Sequence, residues 1–288
     1  MSTIADFSKI KALALDLDGT TLMPDASLGE RTAQNLRRLI TGGRQVIFCT
    51  GRAIEASSRY YSAIGANGPM VFFNGAEVAN ITSDKSADKF EVRLITSNLM
   101  SLEVIDFGAD LARRMGLHFQ VFFPPQGGLW EKLIIEKTSP ESEMYCKHTG
   151  ITPVVADLKT IINNPENKGC VKAMFIADPS LLEEIRQKMI SRFGDTIYTA
   201  RSYPTFLEIM NAGVSKGEGL KTVMSCRGLK PEEIMAFGDE ENDLPMFAVA
   251  GFSAAPSSAK EKIRNVADYI FGPNAEEGLA DFLEKMFV

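Results

Sequence analysis

The sequence predicts an α/β protein with a doubly wound, mostly parallel core sheet and an inserted α+β domain. Short apolar runs alternate with helical segments at both ends of the chain, which is the pattern of βαβ units. Between residues 84 and 208 the pattern changes to strands rich in β-branched and aromatic residues. We therefore predict a core domain formed by residues 1–83 and 209–288, and an inserted domain over residues 84–208.

The first half of the core is predicted from five segments in which strands and helices alternate. They are a strand near 10–17, a helix near 29–41, a strand at Gln45–Cys49, a helix near 54–64 and a strand at Met70–Phe73. Strands joined by helical crossovers pair in parallel, so we expect a Rossmann-like sheet.

The same alternation resumes after residue 209. The predicted segments are a helix at Ser215–Cys226, a strand at Ile234–Phe237, a helix after Asn242, short strands near Gly251–Ala254 and Tyr269–Phe271, and a closing helix that ends at Met286. The two ends of the chain are therefore expected to share one sheet.

The inserted domain is predicted from four strands and the helices between them. The strands are Leu117–Phe123, Leu129–Glu136, Val171–Ile176 and Thr205–Met210, and the clearest helix is Leu181–Phe193. The polar or small residues at Thr82–Asp88 and Asn211–Gly213 are typical of hinges, so we expect the chain to enter and leave the domain there.

Composition excludes several classes of function. The net charge of −6 argues against nucleic-acid binding, because that function needs a clustered basic face. No apolar stretch approaches the ~20 residues of a membrane span, and charges interrupt the N-terminus before a signal peptide could form. The cysteines and histidines lack the spacing of a zinc site or a disulfide framework. From these observations we expect a cytoplasmic protein. We also predict that it is a monomer.

Asp16 and Asp18 follow directly after the first predicted strand. Residues i and i+2 of a strand face the same side, so both carboxylates can converge beyond the sheet edge, and Gly19 then lets the chain turn away. Two converging carboxylates can bind a divalent cation, divide nucleophilic and acid/base work, or do both. A solvated turn with helix-capping aspartates is the alternative for this segment alone.

Two other strand ends carry groups that suit an anion. Thr50-Gly51-Arg52 lies between a strand and a helix, where a hydroxyl and backbone N–H groups make a small anion site. An ordinary N-cap is the alternative for Thr50. Lys216 opens a helix, although cations prefer helix C-termini, and a bound anion would compensate for this. A solvated lysine is the alternative.

The fourth strand end is the segment Gly238-Asp239-Glu240-Glu241-Asn242-Asp243. If a helix begins near Glu240, Asp239 lies at its start and Asp243 follows on the same face. Acidic residues in a first helical turn are also ordinary partners of the helix dipole. Together, the four strand ends make an acidic pocket beside hydroxyl, amide and ammonium groups, and Mg²⁺ with a phosphate fits such a pocket.

In these motifs the chain resembles the haloacid dehalogenase-like superfamily of phosphotransferases. The motifs are Asp16-Leu17-Asp18-Gly19-Thr20, Thr50-Gly51-Arg52, Lys216 and Gly238–Asp243. The insertion between the second and third motifs, with Asn74-Gly75-Ala76 and Gly213-Val214-Ser215-Lys216-Gly217, is similar to the Cof-type group with a type IIB cap. The resemblance implies a Mg²⁺-dependent phosphatase with a catalytic core and a cap at residues 84–208.

The resemblance also implies a role for each core residue. Asp16 would form an aspartyl-phosphate. Asp18 would protonate the leaving oxygen and then deprotonate water. It is expected to hold a proton because it lies beside a second carboxylate. The implied ligands of Mg²⁺ are Asp16, the backbone carbonyl of Asp18, and Asp239. Asp243 would orient a water on the cation or Lys216. The implied phosphoryl-binding groups are Thr50, the Gly51 amide, Lys216 and Asn242, and Arg52 is assigned a structural role.

The cap is expected to close over the pocket and to select the substrate. The resemblance favours sugar phosphates and leaves phosphorylated cofactors open. Candidates for facing the pocket are the turn Pro124–Gly128 with Trp130, and Arg201-Ser202-Tyr203. A Trp130 that is simply packed in the cap sheet is the alternative.

Three other functions compete with a phosphatase. A sugar phosphomutase would use the same chemistry but depend on a sugar bisphosphate. A dehalogenase is disfavoured, because it needs the nucleophile but neither an acid at Asp18 nor a Mg²⁺ site. A non-catalytic sugar-phosphate sensor would have lost a catalytic group, whereas Asp16 and Asp18 are both present.

Overall fold

A computed structural model describes residues 7–66, 68–84, 89–125 and 131–287 of the chain. They fall into two compact units. The core unit lies within Met1–Arg52, Ser57–Ile95 and Ser215–Val288, and the inserted unit lies within Ala53–Ala56 and Thr96–Val214. The main segment of the inserted unit, Thr96–Val214, begins later than the predicted residue 84 and ends later than the predicted residue 208, and Ala53–Ala56 belongs to the same unit.

The described strands include the predicted ones, with bounds close to those predicted, and four that were not predicted. They are β1 (Ala12–Leu15), β2 (Gln45–Phe48), β3 (Gly68–Phe72), β4 (Glu77–Asp84), β5 (Lys89–Ser97), β6 (His118–Phe123), β7 (Lys132–Ile135), β8 (Val154–Val155), β9 (Lys172–Ile176), β10 (Ile197–Tyr203), β11 (Phe206–Asn211), β12 (Ile234–Phe237), β13 (Phe252–Pro256) and β14 (Tyr269–Phe271).

The described helices lie between these strands and after the last of them. They are α1 (Glu30–Thr41), α2 (Ile54–Ile64), α3 (Leu102–Met115), α4 (Pro140–Thr149), α5 (Leu158–Ile162), α6 (Pro179–Phe193), α7 (Lys216–Arg227), α8 (Leu244–Phe247), α9 (Glu261–Arg264) and α10 (Gly278–Phe287). None of the described helices combines the length and apolarity needed to cross a membrane.

The core unit contains the predicted parallel sheet, in the strand order β14-β13-β12-β1-β2. Every residue of β1 is fully buried, because helices cover both faces of a doubly wound sheet. Leu15, the last residue of β1, lies opposite Phe48 of β2 and Phe237 of β12. The carboxyl ends of these three strands therefore meet at one edge, as expected for an open α/β sheet.

Strand β3 lies beside β2 and begins a second sheet, in the order β3-β4-β5. Strand β4 extends to Asp84, so the predicted hinge at Thr82–Asp88 is wrong for Thr82–Asp84, and residues 85–88 lie outside the described chain. Strand β4 pairs with β3 on one side and has β5 on the other. The chain therefore stays in the core unit as far as Ile95. The polar residues Thr82–Asp84 therefore belong to a strand of the core unit.

The inserted unit is built on a six-stranded sheet in the order β10-β11-β9-β6-β7-β8. Its neighbours pair antiparallel except β7 and β8, which confirms the predicted α+β texture. Alternate side chains such as Phe119, Val121 and Phe175 pack on one face with apolar residues of α3 and α6. On the opposite face, Lys172 Nζ lies 2.9 Å from Glu208 Oε1, and both side chains are buried.

His118 lies in this unit as a buried packing residue. Its Nε2 is 3.0 Å from Gln120 Oε1, and its Nδ1 is 3.0 Å from Ser139 Oγ. Burial lowers the pKa of His118, although the hydrogen bond to Gln120 acts in the opposite direction. The folded protein therefore resists protonation of this ring.

We expect His118 to make the protein less stable as the pH falls. Below the ordinary histidine pKa of ~6.5, the unfolded chain takes up a proton that the buried ring resists, so unfolding becomes more favourable. We expect the free energy of unfolding, measured in urea between about pH 8 and pH 5, to change less steeply with pH in His118→Gln than in the wild type. His148→Gln, which alters an exposed histidine of α4, is the matched control. A slope unchanged by His118→Gln would contradict the prediction.

Candidate active site

The loops predicted to carry chemistry lie at the carboxyl edge of the core sheet. Asp16 follows β1, Thr50 follows β2, and Asp239 follows β12. The hydroxyl of Ser215 caps α7 by accepting from the Glu218 N–H at 3.1 Å, and Lys216 is the first residue of that helix.

Lys216 joins two of the predicted carboxylates in one buried cluster. Its ammonium donates to Asp16 Oδ1 at 2.5 Å and to Asp243 Oδ1 at 2.7 Å. Lys216 is 1% exposed, Asp16 5% and Asp243 0%. A buried ammonium needs such partners, because an unpaired charge in the interior is very costly. The alternative of a solvated Lys216 is therefore excluded.

The cluster contains more carboxylates than the single ammonium can balance. Burial raises the pKa of Asp16 well above its ordinary value; the ammonium of Lys216 opposes this, and the neighbouring carboxylates add to it. Burial also works against the charge on Lys216, but Asp16 and Asp243 outweigh it and raise the pKa of Lys216. Additional positive charge would therefore be stabilised here.

Asp239 lies at the same edge, in contact with the first motif. Thr20 Oγ1 donates to Asp239 Oδ1 at 2.9 Å. Burial, with the nearby charge of Asp243, raises the pKa of Asp239 to about 7. Gly19 has φ of 78°, and a Cβ at this position would overlap the Asp239 carboxylate, so glycine is needed both for the turn and for the close approach.

Asp243 has both carboxylate oxygens engaged within the protein. While Oδ1 accepts from Lys216, Oδ2 accepts from the backbone N–H groups of Asp239 at 2.9 Å and Glu240 at 3.0 Å. These bonds fix the loop after β12 and the ammonium together. The orienting role of Asp243 toward Lys216 stays a prediction.

The carboxylates can hold a divalent cation. One oxygen from each of Asp16, Asp239 and Asp243 lies within 4.8 Å of the other two. All three donors are hard oxygen ligands. Burial is the main cause of the raised pKa of Asp16 and of Asp239, and neighbouring carboxylates add to it. The residues present therefore fit a divalent cation. The backbone carbonyl of Asp18 stays a predicted ligand.

Asp18 is separate from this cluster and pairs with Arg52. The guanidinium donates from Nε to Asp18 Oδ2 at 2.7 Å and from Nη2 to Asp18 Oδ1 at 2.5 Å. Arg52 also lies over the ring of Tyr60, with 5.6 Å from its Cζ to the ring centroid. This bidentate geometry fixes the Asp18 carboxylate against the guanidinium. The sequence analysis named Arg52 in the second motif and gave it a structural role, but did not predict its pairing with Asp18.

The loops predicted to bind an anion are linked by Asn74, a residue to which the sequence analysis assigned no role. Asn242 Nδ2 donates to Asn74 Oδ1 at 3.0 Å, and a Cβ at Gly51 would lie 3.1 Å from the same oxygen. Thr50 is fully buried, and its Oγ1 accepts from the Arg52 N–H at 3.1 Å. Asn74-Gly75-Ala76 was visible only as part of the family resemblance, because its partners are remote in sequence.

The predicted substrate-selecting residues of the inserted unit are only partly described. Trp130 and residues 126–128 lie outside the described chain. Arg201 donates to the carbonyl of Pro204 at 2.5 Å, in the turn between β10 and β11, and to the carbonyl of Pro179 in α6 at 3.4 Å. A role of Arg201 in substrate selection stays a prediction.

Comparison with known proteins agrees with the predicted family. The family model of haloacid dehalogenase-like hydrolases matches residues 13–283. The 5-amino-6-(5-phospho-D-ribitylamino)uracil phosphatase YitU of Bacillus subtilis is 28% identical over 282 residues, which cover 96% of this chain and 97% of that protein.

Solved structures give the same result at the level of the fold. A haloacid dehalogenase-like hydrolase from Bacteroides thetaiotaomicron has a TM-score of 0.82 and 25% identity, and the match covers 96% of this chain and 100% of that one. A subclass IIB sugar phosphatase of the same superfamily has a TM-score of 0.74 and 22% identity, with 96% and 98% covered. The chain therefore belongs to the haloacid dehalogenase-like hydrolase family.

Proposed function

We propose that this protein is a Mg²⁺-dependent phosphatase that hydrolyses small phosphorylated metabolites through an aspartyl-phosphate on Asp16. The main support is the buried ammonium of Lys216, which bridges Asp16 and Asp243 beside Asp239. In this proposal Asp16 is the nucleophile, Lys216 supplies a fixed positive charge and the carboxylates bind the divalent cation. All lie at the edge of the sheet where α/β proteins bind ligands.

In the first half of the proposed reaction, an oxygen of Asp16 attacks phosphorus and the ester P–O bond breaks. Asp18 protonates the leaving oxygen, for which it must exchange its contact with Arg52 for one with the substrate. A bound Mg²⁺, held by Asp16, Asp239 and the backbone carbonyl of Asp18, would supply charge neutralisation between the anionic nucleophile and the phosphate.

In the second half, a water molecule attacks the phosphorus of the aspartyl-phosphate. Asp18 removes a proton from this water, inorganic phosphate leaves, and the Asp16 carboxylate is restored. Thr50, the Gly51 amide, Asn242 and Lys216 are the proposed partners of the phosphoryl oxygens, where fixed donors stabilise charge as it redistributes.

Sugar phosphates are the leading substrate class in this proposal. The related Bacillus subtilis enzyme is named for a substrate with a phosphorylated ribityl chain, and a structural neighbour is named a sugar phosphatase. Both names describe a phosphate on a polyhydroxylated carbon chain. We propose this common chemistry for the present protein and assign substrate selection to the inserted unit.

A panel of phosphate esters tests the proposal. Purified protein is assayed for release of inorganic phosphate from hexose, pentose and polyol phosphates, the phosphoribitylaminouracil and p-nitrophenyl phosphate, with Mg²⁺ and after removal of divalent metal. We expect Mg²⁺-dependent release that is fastest for one polyhydroxylated ester. Activity that appears only with a sugar bisphosphate would identify a phosphomutase instead, and no activity on any ester would contradict the proposal.

Asp239 and Asp243 should differ in their effect on Mg²⁺ binding. Asp239→Asn is expected to weaken Mg²⁺ affinity more than Asp243→Asn, because it removes a charged ligand oxygen. Asp243 already uses both oxygens within the protein, and loss of an outer partner typically costs about 10- to 100-fold. Calorimetric Mg²⁺ titration of both variants decides the order. Equal losses would show that Asp243 also contacts the cation.

A further inference from the structure

Phe73, Asn74 and Gly75 form a turn after β3 in which three successive residues have positive φ. Their φ values are 47°, 55° and 98°. Asparagine and glycine tolerate this left-handed region, but a phenylalanine rarely adopts it. Such strain persists only where the surrounding structure imposes it, and it is concentrated at functional sites. We call residues 73–75 the Asn74 turn.

The Asn74 turn holds the backbone of the loop after β2. The Asn74 N–H donates to the Thr50 carbonyl at 2.9 Å, and the Phe73 N–H donates to the Arg52 carbonyl at 3.1 Å. Gly51 lies between these two anchored residues. The turn therefore positions the loop that presents the Thr50 hydroxyl and the Gly51 amide.

The same turn reaches the two other loops of the proposed phosphoryl site. Asn74 Oδ1 accepts from Asn242 Nδ2 at 3.0 Å, which ties the turn to the loop after β12. Gly75 packs so closely on the Ser215 carbonyl that a Cβ would overlap it, and Ser215 directly precedes Lys216. One turn thus contacts all three loops.

We infer that Asn74 is a positioning residue for phosphoryl binding and that it acts through Asn242. The amide nitrogen of Asn242 carries two N–H groups. Because one donates to Asn74, the plane of the amide is fixed and the direction of the second N–H is set. An amide held in this way loses less freedom when it binds a phosphoryl oxygen. The inference rests on the proposed phosphatase function.

A double-mutant cycle tests this role. Asn74→Gly removes the side chain and keeps the positive φ without new strain. We expect Asn74→Gly to weaken binding of inorganic phosphate and to lower kcat/KM for p-nitrophenyl phosphate, each by roughly tenfold, as for one lost hydrogen bond. The double variant Asn74→Gly/Asn242→Ala should lose no more phosphate affinity and no more kcat/KM than Asn242→Ala alone. Phosphate affinity is measured by calorimetry with Mg²⁺ present, and Asn265→Gly, at an exposed residue after α9, is the control.

If the losses of phosphate affinity in the two single variants add up in the double variant, the inference is overturned, since Asn74 would then act independently of Asn242. Lowered thermal stability of Asn74→Gly with unchanged phosphate affinity would also overturn it. If the wild-type protein binds phosphate but hydrolyses no ester, the proposed function fails, while the calorimetric cycle still decides the role of Asn74. A wild-type protein that binds no phosphate would overturn both.

Discussion

Replacement of Asp16 by asparagine should lower phosphate release by ~10⁴-fold or more, because it removes the attacking oxygen on which the proposed covalent step depends. The fold should survive this change. Burial already opposes the charged form of Asp16 and raises its pKa, and Lys216 keeps Asp243 as a partner. Urea unfolding of the metal-free variant is therefore expected to show a free energy of unfolding no lower than that of the wild type.

The measurement is single-substrate kinetics with p-nitrophenyl phosphate, accompanied by circular dichroism and unfolding curves. Asp195→Asn, at an exposed aspartate of the inserted unit, is the matched control and should leave both quantities unchanged. A well-folded Asp16→Asn protein with near-wild-type turnover would remove Asp16 from the role of nucleophile.

Replacement of Lys216 by methionine should impair stability and activity together. Methionine has a similar length but leaves Asp16 and Asp243 buried without their shared ammonium. Breaking a buried pair by removing one partner costs about 3–5 kcal/mol, and we expect a loss of this size in the free energy of unfolding of the metal-free protein. Added Mg²⁺ should restore part of it, because the cation supplies positive charge to the same carboxylates.

The activity of Lys216→Met should fall by roughly 10²- to 10³-fold on every ester, since all present the same phosphoryl oxygens. If the variant is too unstable to assay, Lys216→Met/Asp243→Asn removes one unpaired charge and should recover stability without recovering activity. Lys221→Met, on the exposed face of the same helix, is the control. A selective loss on some esters only would indicate that Lys216 contacts the leaving group and not the phosphoryl group.

The sequence was informative wherever a local pattern determines a structure. Strand β12 and helix α2 have the predicted bounds, because a buried apolar run and an amphipathic period each arise from neighbouring residues. The strands β4 and β5 were not predicted, because their place in the core unit depends on pairing and not on a local pattern. Thr82–Asp84 is polar and resembles a linker. These residues belong to the core unit only because β4 pairs with β3 in one sheet.

The same distinction applies to the site. Asp16, Lys216 and Asp239 could be proposed from sequence, because each stands at the end of a strand or the start of a helix whose position in an α/β sheet is known in advance. The sequence could not assign partners to these groups. That Lys216 contacts both Asp16 and Asp243 depends on how α7 packs near β1 and the loop after β12.

By itself, the sequence determined the fold class, the family and the strand ends that carry polar groups, since these follow from short-range patterns and motif order. Only the tertiary structure decided that Arg52 holds Asp18 and that Asn74 holds Asn242. These pairs are remote in the chain, and a hydrogen bond requires two atoms to lie within about 3 Å. Such distances are set by the packing of several elements together, which no local pattern of residues encodes.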